Sequence, residues 1–196
     1  MGADFCNQIT DVSCDYWDAY ITTSKVCFTN AKVILDRFHV TKLLNNVLDD
    51  FRKELRKSDN VHYKRLKWIL YKEYHTLSDQ QLDDLNAAFI DSPKVEKIYH
   101  IRERFHHVLD NTNTVEKTII AINNWIEQLA KKEVTLFDGF VKALKNTKEY
   151  IANYVENYLS NAVTEGLNNF IRSVRRTAFG MTNFENLKLR VLAISC

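Results

Sequence analysis

At 196 residues the chain is of single-domain size, and 27 Lys+Arg against 25 Asp+Glu leave a net charge of +2, which excludes a polycationic nucleic-acid coat. Apolar residues at 45% and charged residues at 27% exclude disorder and collagen-like repeats. Four glycines and a single proline, Pro93, exclude a turn-rich all-β sandwich or barrel and predict long helices joined by short polar links.

In chain order, residues 8–35 read as strand, helix, strand. Ile9, Val12, Ser13 and Cys14 form a short strand candidate. Residues 16–26 carry Tyr16, Trp17, Tyr20, Ile21 and Val26 at roughly helical spacing. After the turn residue Asn30, the β-branched run 31–35 reads as a second strand. Two strands joined by a helix of this length form a βαβ unit, so they are expected to be parallel.

From Phe38 to about Tyr158 the pattern is helical. Leu44, Val47, Leu48, Phe51 and Leu55 make one apolar stripe, and residues 63–74 make a second, basic and aromatic segment. Ser78 with Gln81 is a capping-box start for a third helix, which ends near Asp91 before Ser92 and Pro93. Stripes beginning at Val95, Val115 and Phe137 predict three more, the last running to Leu159. Charge is uneven: residues 39–75 hold nine Lys/Arg against five acids, whereas 76–92 hold four Asp and no basic residue. Such neighbours are ordinarily solvated helix faces.

A break at Ser160 and Asn161 precedes a helix over 162–179 with Leu167, Phe170, Ile171, Val174 and Ala178 on one face. The opposite face presents Glu165, Asn168, Asn169, Arg172, Arg175 and Arg176. Gly180 reads as the residue past the helix end, and Asn183 starts a final helix. No run of about 18 apolar residues occurs, and the N-terminus lacks a signal-peptide pattern, so the expectation is a cytoplasmic protein with no membrane partner. The cysteines at 6, 14, 27 and 196 form no CxxC pair and no zinc template; Cys14 and Cys27 are expected as free thiols in the core.

Asp15 closes the first predicted strand and Asp36 the second. In a parallel sheet those ends are neighbours, on the edge where α/β proteins place ligands. Adjacent carboxylates repel unless a cation holds them, and oxygen ligands suit magnesium or manganese. Equally, each Asp is placed to cap the helix that follows it. His39, three residues after Asp36, stands at the same strand end. Glu165 combines a potential ligand with amides and guanidiniums suited to phosphate oxygens, against the alternative of an ordinary solvated Glu.

Four segments carry a family resemblance: Val12-Ser-Cys-Asp-Tyr-Trp-Asp-Ala-Tyr20; Asn30-Ala-Lys-Val-Ile-Leu-Asp-Arg-Phe-His-Val40; Thr164-Glu-Gly-Leu-Asn-Asn169; and Phe179-Gly-Met-Thr-Asn-Phe-Glu-Asn-Leu-Lys-Leu-Arg190. In this order, and over about residues 9–194, the chain resembles the bacterial insertion-sequence transposases of the ISL3 family. The resemblance implies a partial ribonuclease H-like domain, α/β and mostly helical, with a long all-α insertion. Residues 1–40 would then hold part of the catalytic core, 41–160 the insertion, and 161–196 the C-terminal core helices. It also implies DNA transposition by two-metal phosphoryl transfer, with Asp15 as second catalytic aspartate and metal ligand and Glu165 as catalytic glutamate and ligand. Asp36 and His39 would support the site, and Asn168, Asn169, Arg172, Arg175 and Arg176 would contact DNA. Mg2+ or Mn2+ is the implied cofactor in the complete enzyme; transposon ends, target DNA and a transposase oligomer are the implied partners.

The family's first aspartate lies on an early strand well before the second, and only 14 residues precede Asp15 here; Asp4 and Asp11 stand in the wrong context. The expectation is therefore a C-terminal portion of such an enzyme, inactive alone. The competing reading is a non-enzymatic helical module that binds DNA backbone or joins a transposase as an inhibitor.

Overall fold

The computed structural model describes residues 2–56, 62–160, 162–178 and 183–195. After a short helix α1 (Ala3–Asn7), strand β1 (Asp11–Cys14) leads into α2 (Asp18–Cys27), and β2 (Lys32–Leu35) follows. The strands are parallel, with Val12 opposite Val33 and Cys14 opposite Leu35. Val33, Ile34 and Leu35 are all buried, as expected of a parallel strand covered on both faces. The helix begins two residues later than its periodicity suggests, because Trp17 is extended and its N–H donates to the Asp15 carbonyl. Only Ile21 and Ser24 of α2 are buried. Cys14 lies in the core, but Cys27, expected there, is exposed: it ends a helix whose buried face is one turn wide.

Helices α3 (Arg37–Arg56), α4 (His62–Leu70), α5 (Asp79–Asp91), α6 (Pro93–Asp110), α7 (Val115–Lys131) and α8 (Asp138–Ala152) follow. The apolar stripe of α3 is realised, with Val40, Leu44 and Leu48 fully buried. The capping box at α5 is complete: Ser78 Oγ accepts from the Gln81 N–H, and Gln81 Oε1 accepts from the Ser78 N–H. Pro93 opens α6 at a position where a missing N–H costs nothing, and Thr114 caps α7. Phe105, Trp125, Phe137 and Phe140 interlock edge-to-face where α6, α7 and α8 meet. The indole N–H of Trp125 donates to the Ile101 carbonyl at 3.1 Å.

Arg102 of α6 is 1% exposed yet charged. Its guanidinium donates to the Tyr71 carbonyl, to the Lys72 carbonyl at 3.0 Å and to Asn45 Oδ1 at 3.4 Å, and pairs with Glu103. It thereby satisfies carbonyls just past the end of α4 and ties that end to α3 and α6, as a buried fork-shaped cation can.

The helix expected to run to Leu159 instead breaks at Asn153 between α8 and α9 (Tyr154–Asn157). The Asn153 side-chain amide donates to the Val33 carbonyl at 2.8 Å, which fastens the break to β2. Tyr158, at φ 50°, ends α9 in the left-handed region.

The chain divides into two compact units, Met1–Leu159 and Ser160–Cys196. The strands belong to the same unit as the helices over 41–159, because α8 packs on β2 and α3 continues directly from the strand end. The second unit pairs α10 (Ala162–Thr177) with α11 (Phe184–Ser195). Val174 is buried, and Asn183 starts α11 by accepting the Asn186 N–H on its Oδ1. Asn161 and the expected helix end at Phe179 and Gly180 lie outside the described residues. Among the described residues no helix is long and apolar enough to cross a membrane.

Candidate functional site

The parallel register brings the ends of β1 and β2 level. The Asp36 N–H donates to the Cys14 carbonyl at 3.2 Å, extending the ladder by one rung, so Asp15 and Asp36 leave the sheet side by side. Asp36 then turns inward. Its Oδ1 accepts the Phe38 N–H at 2.8 Å and its carbonyl accepts the His39 N–H, so it caps α3 and faces the positive end of that helix. The Asp15 side chain is 44% exposed.

His39, on the first turn of α3, reaches across the strand ends. Its Nε2 stands 3.0 Å from Asp15 Oδ1, a contact of ion-pair length that lacks the alignment of a hydrogen bond. Cys14, directly before Asp15, is no competing nucleophile: burial, reinforced by the Asp15 charge, pushes its thiol up to about 11. The edge therefore carries one partly exposed carboxylate, one imidazole held against it, and one carboxylate that caps α3.

Glu165 lies in the first turn of α10, in the second unit. Asn168, Asn169, Arg172, Arg175 and Arg176 share its face at three- and four-residue steps, all exposed. Arg172 donates to Asn169 Oδ1 at 3.3 Å, so at least one amide–guanidinium pair is organised along the helix. Asp15, Asp36 and His39 are thus assembled within the first unit, and Glu165 with the amide and arginine row within the second. Among the described residues no group of three His, Cys, Asp or Glu side chains is placed to hold a metal ion.

A second cluster escaped the sequence reading. Glu73, His75, Glu103, His106, His107 and Asp110 line a cleft of about 360 Å³ beside α6. His106 Nδ1 is 3.8 Å from Glu73 Oε1, and burial, with Arg102 and Arg37 adding to it, lowers His106 to about 4. His75, His106 and His107 were the available signal, but their spacing matches no ligand template.

The family model described as "Transposase", that of the ISL3 DDE enzymes, matches residues 1–191, and the chain belongs to that family. Among curated proteins it is similar to the transposase for insertion sequence element IS1001 of Bordetella parapertussis, at 23% identity over 193 residues. That match covers 95% of this chain and 47% of the relative, so the chain spans about half the relative's length. No solved structure matches.

Proposed function

We propose that the chain carries the second and third carboxylates of a DDE transposase, Asp15 and Glu165, on a partial ribonuclease H-like core. Residues 1–40 and 161–196 are its core portions and 41–160 the helical insertion. Asp36 and His39 position the edge: Asp36 by fixing the start of α3, His39 by holding the Asp15 carboxylate from one side. The observation that carries this reading is the pairing of Asp15 with His39 at level parallel strand ends, in a chain matched as a transposase along nearly its whole length.

Mg2+ or Mn2+, when held by a full carboxylate set, supplies the Lewis acidity for phosphoryl transfer. Asp15 and Glu165 would offer two of the family's three carboxylates, which under-coordinate such ions, so that chemistry belongs to the complete enzyme. What this chain does by itself is bind DNA. Arg172, Arg175 and Arg176 meet phosphates, and Asn168 and Asn169 offer further donors along the same helix face. Such contacts hold any duplex weakly and read no sequence.

Duplex binding measured over a range of salt, with strand transfer assayed in Mg2+, tests the reading. The expected result is salt-steep, sequence-independent binding and no strand transfer. Failure to bind any duplex, or strand transfer that survives Asp15→Ala, would overturn it.

A further inference from the structure

Where α6 and α7 run side by side in the first unit, a groove of about 260 Å³ opens between them. Its floor is apolar: Val108, Ala121 and Trp125 form it, and the Trp125 indole N–H is already spent on the Ile101 carbonyl. Its rims are Arg104 and His107 from α6 and Asn124 and Gln128 from α7, all exposed. A smaller hollow continues the groove along the same seam, sharing Arg104 and Gln128 and ending at Lys132. Lys97 stands at that end, where its Nζ donates to the Lys132 carbonyl at 3.4 Å.

The rim chemistry is one-sided. Among the described residues no carboxylate lines either hollow, whereas Arg104 and Lys132 bring positive charge and Asn124 and Gln128 bring amide donors. Elsewhere in this unit carboxylates hold the cations: Lys32 with Glu156, Arg37 with Asp110, Arg52 with Asp49 and Arg102 with Glu103. Arg104, Lys132 and Lys97 have no carboxylate partner among the described residues. The acids nearest in sequence do not enter the groove. Glu103 is taken by Arg102, Glu96 faces His100 at 3.9 Å, and exposed Glu127 and Glu133 lie outside the lining.

Unpaired cations along one slot attract a polyanion. The α7 rim from Ala121 to Lys132 is about 16 Å long at about 1.5 Å per residue. At about 3.4 Å of DNA axis per phosphate, that length spans several successive phosphates of one strand. An isolated phosphate calls for donors converging on one point, whereas here they are strung along an open slot. Resting on the DNA-binding reading above, we propose that the α6–α7 groove is a second DNA contact, distinct from the arginine row of α10. Arg104 and Lys132, with Lys97 beside them, hold successive phosphates of one strand, and the Asn124 and Gln128 amides donate to the same backbone. The contact needs no metal and reads no sequence.

The test titrates the full 196-residue chain with labelled duplex over a range of salt. Arg104→Gln with Lys132→Gln is expected to flatten the slope of log affinity against log salt by about 1 to 2 units. Arg104→Lys with Lys132→Arg, which keeps both charges, should keep the wild-type slope. Combining the Gln pair with Ala at Arg172, Arg175 and Arg176 should add the two losses, as distant sites do. Wild-type binding with a slope that the Gln pair leaves unchanged overturns the groove alone. So does a Gln-pair effect confined to self-association or to a lower Tm, or an equal loss in the charge-keeping pair. Wild type that binds no duplex at any salt overturns the DNA-binding reading as well.

Discussion

His39 Nε2 stands 3.0 Å from Asp15 Oδ1, joining the first turn of one helix to the end of a different strand. On the proposed reading DNA phosphates lie at this edge, and without a cation the Asp15 carboxylate repels them. Asp15→Asn is therefore expected to tighten metal-free duplex binding by about fivefold, an energy of about 1 kcal/mol at surface dielectric. Stability should change by less than about 1 kcal/mol, because the Asp15 side chain is 44% exposed. Fluorescence anisotropy and a thermal melt of the same protein check both numbers. A lower Tm with unchanged affinity would make Asp15 a structural residue.

The arginine row of α10 gives a prediction about salt. Each phosphate contact contributes close to one unit to the slope of log affinity against log salt. Replacing Arg172, Arg175 and Arg176 together with Ala should flatten that slope by about 2 to 3 units. The second unit exposes all three side chains, so the thermal melt should hardly move. A fall in Tm with an unchanged slope would mean that the row serves folding.

Arg102 is the buried charge on which the helical body depends. Arg102→Met keeps most of the volume but leaves the Tyr71 and Lys72 carbonyls and Glu103 without their cation. Stripping one partner from a buried charge network costs about 3–5 kcal/mol. Urea denaturation should show a loss of unfolding free energy of that size, larger than for any single aliphatic truncation on the rim of the α3 stripe.

His106 makes stability depend on pH. Its folded value, lowered from 6.5 to about 4, means that the unfolded chain binds the proton first as pH falls. The neutral imidazole is favoured by burial and by Arg102 and Arg37; Asp110 pulls the other way. The stabilising contribution is thus complete above pH 6.5 and is lost between about 6.5 and 4. His106→Phe should remove pH dependence on the order of 2 kcal/mol from the unfolding free energy across that window, measured by urea denaturation at several pH values.

Much of this molecule was legible locally. The capping box of Ser78 and Gln81, the proline opening α6, the stripe of α3 and the β-branched second strand are short-range features, and each formed where its residues called for it. Side chains within one turn of each other decide such features, so neighbouring letters suffice. Asp15 and Asp36 were likewise readable as neighbours, since parallel pairing follows from strand, helix, strand.

Distant partners decided the rest. The helix over 137–159 breaks at Asn153 because that amide finds the Val33 carbonyl 120 positions earlier. Cys27 looks like a core thiol by type, but the packing of α2 leaves it outside. His39 is three residues from Asp36 in sequence, yet its imidazole closes on Asp15, a choice made by strand register and by the angle at which α3 leaves β2. Arg102 reads as one more surface cation on a helix until Tyr71, Lys72 and Asn45 converge on it. Periodicity and caps are set by contacts within a few residues, so the sequence alone determined the helices, the parallel pair and the acidic edge. Which polar groups were buried together depended on long-range packing, and only the tertiary structure decided that.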